Sequence, residues 1–313
     1  MLILLYNNAH IGDIFIGQRI IQNIIKGNPD KNIKFYCPYN RFIMNDISGA
    51  LFLPPPDAEQ SLKAHLQNNN HFIFAQMPNP TVLMINFWIA AIRDFTPGID
   101  IECNPYLIQE AVIEGLKRIQ EQFGIVLHYD RLSKIELLPM IPFTRTDSFS
   151  YWKQQNTKKT LFYFNYSPKS GQLFPISEPH EIHHQDIVQH IVATNPDLLV
   201  VVPSWSGSEH PNIIDCSKLF DCVESLSCEN IYKVHQIASQ CDYRIIYDIG
   251  ACFPFFNSQF SISKSKIFHV SSNTLYYAKF KNYLELINEN TDEYINILCN
   301  NKEEIKTYFQ TVN

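Results

Sequence analysis

The stretch LILLYNNAHIGDIFIGQRIIQNIIKGNPDKNIKFYC, residues 2–37, decides the reading of the chain. Leu2 to Tyr6 is a continuous apolar run, the pattern of a parallel strand covered on both faces. A polar turn, Asn7 to Gly12, follows. From Asp13 the residues Ile14, Phe15, Ile20, Ile21, Ile24 and Ile25 recur at helical spacing, and Gly27 with Pro29 ends the helix. Asn32 to Cys37 reads as a second strand, so the stretch is one βαβ unit and predicts a parallel sheet.

The alternation continues outward from this unit. Ser61 to Asn68 reads as a helix and His71 to Ala75 as a strand, and Asn104 to Phe123 is a long helix opened by Asn-Pro and closed by Gly124. Pro139, Pro142 and the polar stretch Thr144 to Lys159 break the pattern and read as a linker. A second alternation follows, with strands at Thr160 to Asn165, Leu198 to Pro203 and Tyr243 to Tyr247, and helices at Ile182 to Ala193 and Asn230 to Gln240. The tail from Thr274 carries Tyr283, Leu284, Ile287, Tyr294, Ile295, Leu298 and Ile305 as an apolar stripe and reads as helical. The expectation is an α/β protein with two Rossmann-like parallel-sheet domains facing a cleft, the ligand lying between them. Residues 1–143 are expected to form the N-terminal Rossmann-like domain, 144–159 the linker, 160–275 the C-terminal Rossmann-like domain and 276–313 the C-terminal helices.

Bulk properties agree with this class and exclude others. A length of 313 residues suits two domains of about 150 each. With 45% hydrophobic and 18% charged residues the chain is globular rather than disordered. A net charge of -6 without a Lys/Arg block argues against nucleic acid or an anionic membrane as the main partner, since both need a concentrated basic face. The eight cysteines are scattered, form no C-x-x-C pair and follow no signal peptide, so they read as reduced thiols of a cytoplasmic protein. The most apolar later run, Thr81 to Ile92, contains Asn86 and stops at Arg93 and Asp94, short of the about 20 residues of a membrane span. No integral membrane segment is expected.

In open α/β sheets ligands bind outside the carboxyl ends of the strands, which directs attention to four loops. The first, Asn8 to Asp13, places His10 in the loop, Gly12 at the helix entry and Asp13 at or beside the N-cap. Asp13 either caps the helix or, facing a ligand, takes a proton from a hydroxyl as general base. The second, Asn165-Tyr166-Ser167-Pro168-Lys169-Ser170-Gly171, combines hydroxyls, a cation and a glycine, which suits a phosphate as well as it suits a solvated turn. It lacks the spacing of a Walker loop. The third, Pro203-Ser204-Trp205-Ser206-Gly207-Ser208, is hydroxyl-rich and falls on the same edge. The fourth is Asp248-Ile249-Gly250, whose glycine permits close backbone approach to an anion. His180 and His184 have the i, i+4 spacing of a zinc pair, but no third ligand follows, and with His183 and His190 they read as a solvated helix face. Cys252 reads as a buried, inert thiol.

An opening strand followed by His10-Ile11-Gly12-Asp13 and a helix, and much later Ile237-Ala238-Ser239-Gln240-Cys241-Asp242 followed by Asp248-Ile249-Gly250, resembles the heptosyltransferase-like glycosyltransferases of the GT-B fold. The resemblance implies that Gly12 and Asp13 match the motif supplying the catalytic base, and that Asp248 and Gly250 match the motif binding the sugar nucleotide. Lys169 and Ser170 occupy the loop of the donor-phosphate ligands. Ile249 stands where the family has a hydroxyl residue, and Cys252 to Phe256 lacks the family's histidine.

The function expected is metal-independent transfer of a sugar from a nucleoside diphosphate sugar to a hydroxyl-bearing glycan or glycolipid acceptor, with no cofactor. Asp13 deprotonates the acceptor, while Lys169, Ser170, Ser204, Ser206, Asp248 and Gly250 hold the donor. The alternatives are a non-catalytic nucleotide or sugar binder on the same fold and a nucleotide-sugar epimerase.

Overall fold

The structure is a computed structural model, and it describes residues 1–7, 11–37, 50–51, 56–67, 73–88, 91–92, 95, 107–133, 147–165, 184–219, 228–247, 266–271, 294–298 and 306–307. The chain divides into two compact units, Met1–Ile141 with Glu285–Asn288 and Pro142–Leu284 with Glu289–Asn313. Both are α/β, and among the described residues their sheets are parallel except at one hairpin.

The first unit contains β1 (Leu2–Tyr6), α1 (Ile11–Gly27), β2 (Asn32–Tyr36), β3 (Ala50–Leu51), α2 (Pro56–Gln67), β4 (Ala75–Asn79), β5 (Val82–Asn86) and α3 (Ile108–Phe123). Its sheet order is β3-β2-β1-β5-β4. All five residues of β1 and of β5 are buried, as central strands of a covered sheet require. Leu2, Leu4, Tyr6, Val82 and Met84 share one face and pack with Ala58 and Leu62 of α2. This helix starts five residues before the predicted Ser61, because Pro56 sits at its first position, where a missing N–H costs nothing.

The predicted strand His71 to Ala75 is displaced. Ile73 and Phe74 lie outside the strand, and β4 begins at Ala75. Phe74 is instead a core residue whose ring lies against Gly115 of α3, where an added Cβ would come within 2.6 Å of it. The hairpin of β4 and β5 is antiparallel, with its register shifting between Gln76 and Asn79 around Pro78. Proline is tolerated there because β4 is the edge strand.

After α3, Gly124 closes the helix in the left-handed region at φ 69°, as the sequence predicts. Residues 125–132 then run without forming a strand. Three carboxamides take over the pairing. Asn28 Nδ2 donates to His128 O at 2.9 Å while its Oδ1 accepts from His128 N at 2.9 Å. Asn23 makes the same pair of bonds with the backbone of Asp130, and Gln109 with that of Leu132. Asn28 also donates to Ile24 O, so one side chain both finishes α1 and holds the strap.

The second unit contains α4 (Asp147–Gln154), β6 (Lys159–Tyr163), α5 (His184–Thr194), β7 (Leu198–Val202), β8 (Ile213–Asp215), α6 (Cys216–Leu219), α7 (Cys228–Ser239), β9 (Tyr243–Tyr247), β10 (Lys266–Ser271) and β11 (Tyr294–Leu298). Its sheet order is β11-β10-β9-β6-β7-β8, every pair parallel. Two expectations are corrected. The stretch 144–159, read as linker, contains α4, whose Phe149 is fully buried and stacks on Trp152 at 5.3 Å. The helical tail from Thr274 contains β11, paired residue by residue with β10 from Ile267↔Tyr294 to Ser271↔Leu298. Its sequence Tyr-Ile-Asn-Ile-Leu is rich in β-branched and aromatic residues, which favour a strand over the helix inferred from the longer stripe.

The amino ends of β6 and β9 are locked together. Asp242 Oδ2 accepts from the backbone N–H of Thr160 at 2.8 Å and from its hydroxyl at 2.9 Å. Lys153 of α4 pairs with Asp242 Oδ1 at 3.4 Å and donates to Gln240 O. Among the described residues no helix is long and apolar enough to cross a membrane. The apolar run at Thr81 proves to house β5.

Partial burial alone would raise the Asp242 carboxyl, but the bonds from Thr160 and the nearby Lys153 outweigh it and hold the group below its ordinary value of 3.8. The native state therefore binds its proton later than the unfolded chain as pH falls. The contribution is fully present above about pH 4 and is lost as pH drops through the lower folded value. Urea denaturation from about pH 5 down to pH 2 should show a shallower acid loss for Asp242→Asn than for the parent; equal slopes would reject the clamp as its source.

Candidate functional site at the strand reversal

Counted within the second unit, the strands lie in the order 3-2-1-4-5-6: β6, β7 and β8 wind one way, and the chain returns to the other side of β6 for β9, β10 and β11. This is the order of the doubly wound nucleotide-binding sheets. Connections leave β6 and β9 in opposite directions, which opens a crevice at their carboxyl ends.

The residues at that edge are positioned one after another. Phe164 N donates to Ile245 O at 3.0 Å and carries the pairing of β6 with β9 one residue past the strand. Asn165 follows, and its Nδ2 donates to Ser204 O at 2.5 Å, joining the loop after β6 to the loop after β7. Its Oδ1 is buried without a hydrogen-bond donor among the described residues. In the loop after β7, Trp205 is nearly buried and its indole N–H donates to Ser208 O at 2.9 Å. Gly207 lies under the indole ring, where a Cβ would come within 2.5 Å of it, so only glycine allows this folded loop. Gln185, in the first turn of α5, donates to Ser206 Oγ at 3.0 Å. Ser204 is half-buried and Ser206 exposed.

Ser204 and Ser206 thus stand on the edge where the sequence placed them. Lys169, Ser170, Asp248 and Gly250 lie outside the described residues, as do His180, His183 and Cys252. His184 is not on a solvated face. It is 8% exposed, and its Nδ1 shares a 3.0 Å hydrogen bond with the buried hydroxyl of Tyr163, the last residue of β6. That contact pins the start of α5 to the carboxyl edge. Asn165 and Gln185 are the polar side chains at this edge that sequence reasoning does not select.

The first unit has a reversal of its own between β1 and β5. Asn7, fully buried, spans it: its backbone N–H donates to O of Tyr36, the last residue of β2, and its Nδ2 donates to Phe87 O at 3.1 Å, just beyond β5. Gly12 is buried inside α1. Asp13 is the third residue of α1 rather than its cap, because the helix already begins at Ile11. His10 lies outside the described residues.

No family model matches this sequence, and no curated protein does. Solved structures are similar to it along nearly the whole chain. One is described as the ADP-heptose lipopolysaccharide heptosyltransferase II of E. coli, with 11% identity, 99% of this chain and 98% of that chain covered, and a TM-score of 0.46. Another is a family 9 glycosyl transferase from Veillonella parvula, with 10% identity, coverage of 99% and 91%, and a TM-score of 0.47. A third is the E. coli heptosyltransferase WaaC with ADP-2-deoxy-2-fluoro heptose, with 9% identity, coverage of 99% on both sides and a TM-score of 0.40.

Burial pushes the His184 imidazole down from 6.5 to about 4. Between these values the unfolded chain binds a proton that the native state refuses, so stability falls as pH drops from about 6.5 to about 4. The loss amounts to about 3 kcal/mol. Denaturant titrations at intervals across this range should show that slope in the parent and a flatter one in His184→Gln. An unchanged slope in the variant would assign the pH dependence to other groups.

Proposed function

We propose that this protein is a glycosyltransferase that moves a sugar from a nucleoside diphosphate sugar to a hydroxyl of a glycan or glycolipid, without a metal ion. The observation that carries the reading is the 3-2-1-4-5-6 sheet of the second unit with a hydroxyl-bearing loop, Ser204 to Ser206, on its carboxyl edge. The motif of Gly12 and Asp13, entering α1 after β1, adds the residue type that such a transfer needs.

Asp13 accepts the proton of the acceptor hydroxyl as its oxygen bonds to the anomeric carbon of the donor. The bond from that carbon to the diphosphate breaks, and the diphosphate leaves with its negative charge. Lys169 with the hydroxyls of Ser170, Ser204 and Ser206 offsets that charge, and Asp248 and Gly250 hold the nucleotide. A second reading, a binder that has lost turnover, is favoured by the departures at Ile249 and at Cys252 to Phe256, where the family's hydroxyl and histidine are missing.

The test measures donor consumption and binding on the parent and two variants, after a thermal-shift screen of nucleoside diphosphates and their sugars has found the donor. Asp13→Asn should lower turnover about 100-fold or more with donor affinity nearly unchanged. Equal turnover in the two proteins would remove Asp13 from the mechanism, and donor binding without turnover in the parent, across a range of acceptors, would establish the binder.

Lys169→Ala should weaken binding of the nucleoside diphosphate by about 1–3 kcal/mol, the range for a lost hydrogen bond to a charged group. Unchanged affinity in a titration of this variant would take Lys169 out of the donor site.

A further inference from the structure

We infer that Asn165 reads a sugar hydroxyl of the molecule bound at the carboxyl edge of the second sheet, an inference that rests on the donor site proposed above. The orientation of its carboxamide is fixed by the protein. Only the Nδ2 end can face the carbonyl of Ser204, so the Oδ1 end is the one turned away from that loop. This oxygen is buried, and none of the described residues donates to it. A buried acceptor left unmade costs about as much as a lost hydrogen bond, which is why nearly all such atoms are paired in folded proteins. Here the orphan lies two residues past the end of β6, beside the strand reversal.

The chemistry of the atom selects its partner. A neutral carbonyl oxygen accepts and cannot donate, so it matches an O–H or N–H and offers nothing to phosphate oxygens, which are themselves acceptors. Asn165 therefore takes a hydroxyl of the bound molecule and leaves its diphosphate to other groups. The hydroxyl belongs either to the ribose or to the transferred sugar, both of which are polyols.

Equilibrium binding of matched ligands separates these sources. The nucleoside diphosphate, its 2′-deoxy and 3′-deoxy forms, the complete sugar nucleotide and analogues lacking single sugar hydroxyls are titrated against the parent and Asn165→Ala. Removing the hydroxyl that is read should weaken binding to the parent roughly tenfold. In Asn165→Ala the parent ligand and that deoxy form should bind alike. Loss at a ribose position or only at a sugar position names the source.

If Asn165 merely ties two loops together, the variant weakens all ligands equally and keeps the discrimination between hydroxyl and deoxy forms, which overturns the inference. If a water alone fills the site, the parent shows no discrimination, and the inference falls in the same way. In both cases nucleotide binding by the parent persists and the proposed function stands. A parent that binds no nucleotide or sugar nucleotide overturns both. Should Asn165→Ala fail to fold, Asn165→Ser, which keeps a short hydroxyl beside Ser204, takes its place.

Discussion

The inner strands of a parallel sheet covered on both faces have unpaired backbone groups only at their two ends, and the rest of this structure follows from that constraint. The strands β1, β5 and β7 are buried along their whole length, so none of their side chains can serve chemistry. Polar residues collect at the edges instead, and the two edges are treated differently. At the amino ends a charged clamp of Asp242, Thr160 and Lys153 ties β6 to β9 and to α4. At the carboxyl ends neutral carboxamides make the ties, Asn7 across the first reversal and Asn165 across the loops of the second. At the amino ends of β6 and β9 charge thus makes the tie, and across the two reversals at the carboxyl ends carboxamides make it.

Much of this is legible in the sequence because burial on both faces writes itself as unbroken apolar runs. Leu2 to Tyr6 and Leu198 to Val202 are strands where the runs predict them, and Tyr243 to Tyr247, whose run is broken by Arg244, is a strand where the alternation predicts one. The misses have physical causes. Val82 to Asn86 sits in an apolar stretch long enough to invite comparison with a membrane span, which hides the strand inside it. Ile213 to Asp215 is three residues long, too short for any period to appear. Tyr294 to Leu298 lies inside a stripe whose spacing also fits a helix, and its β-branched composition together with pairing to Lys266 to Ser271 makes it a strand.

The site is legible in part for the same reason. Ser204 and Ser206 follow an apolar run that has to be a strand, so their place on the carboxyl edge comes with it. The role of Asn165 cannot be read, because it depends on which carbonyl lies opposite, and that carbonyl is 39 residues away. His184 escapes the sequence for a similar cause. Helical spacing compares it with its neighbours on the helix, whereas its partner is the hydroxyl of Tyr163, 21 residues earlier and on the sheet.

At His128, Asp130 and Leu132 the strap over residues 128–132 is gripped by Asn28, Asn23 and Gln109 through its main-chain N–H and C=O groups, and between them the Tyr129 hydroxyl donates to Gln109 Oε1 at 2.6 Å. Every non-proline residue offers those same two groups. The grip is therefore blind to what His128, Asp130 and Leu132 carry as side chains, and the burden of specificity falls on the three carboxamides. Mutational drift can rewrite those three positions while the gripping residues stay fixed, with only proline, which has no N–H to give, barred from them, whereas Tyr129 is held by its own side chain.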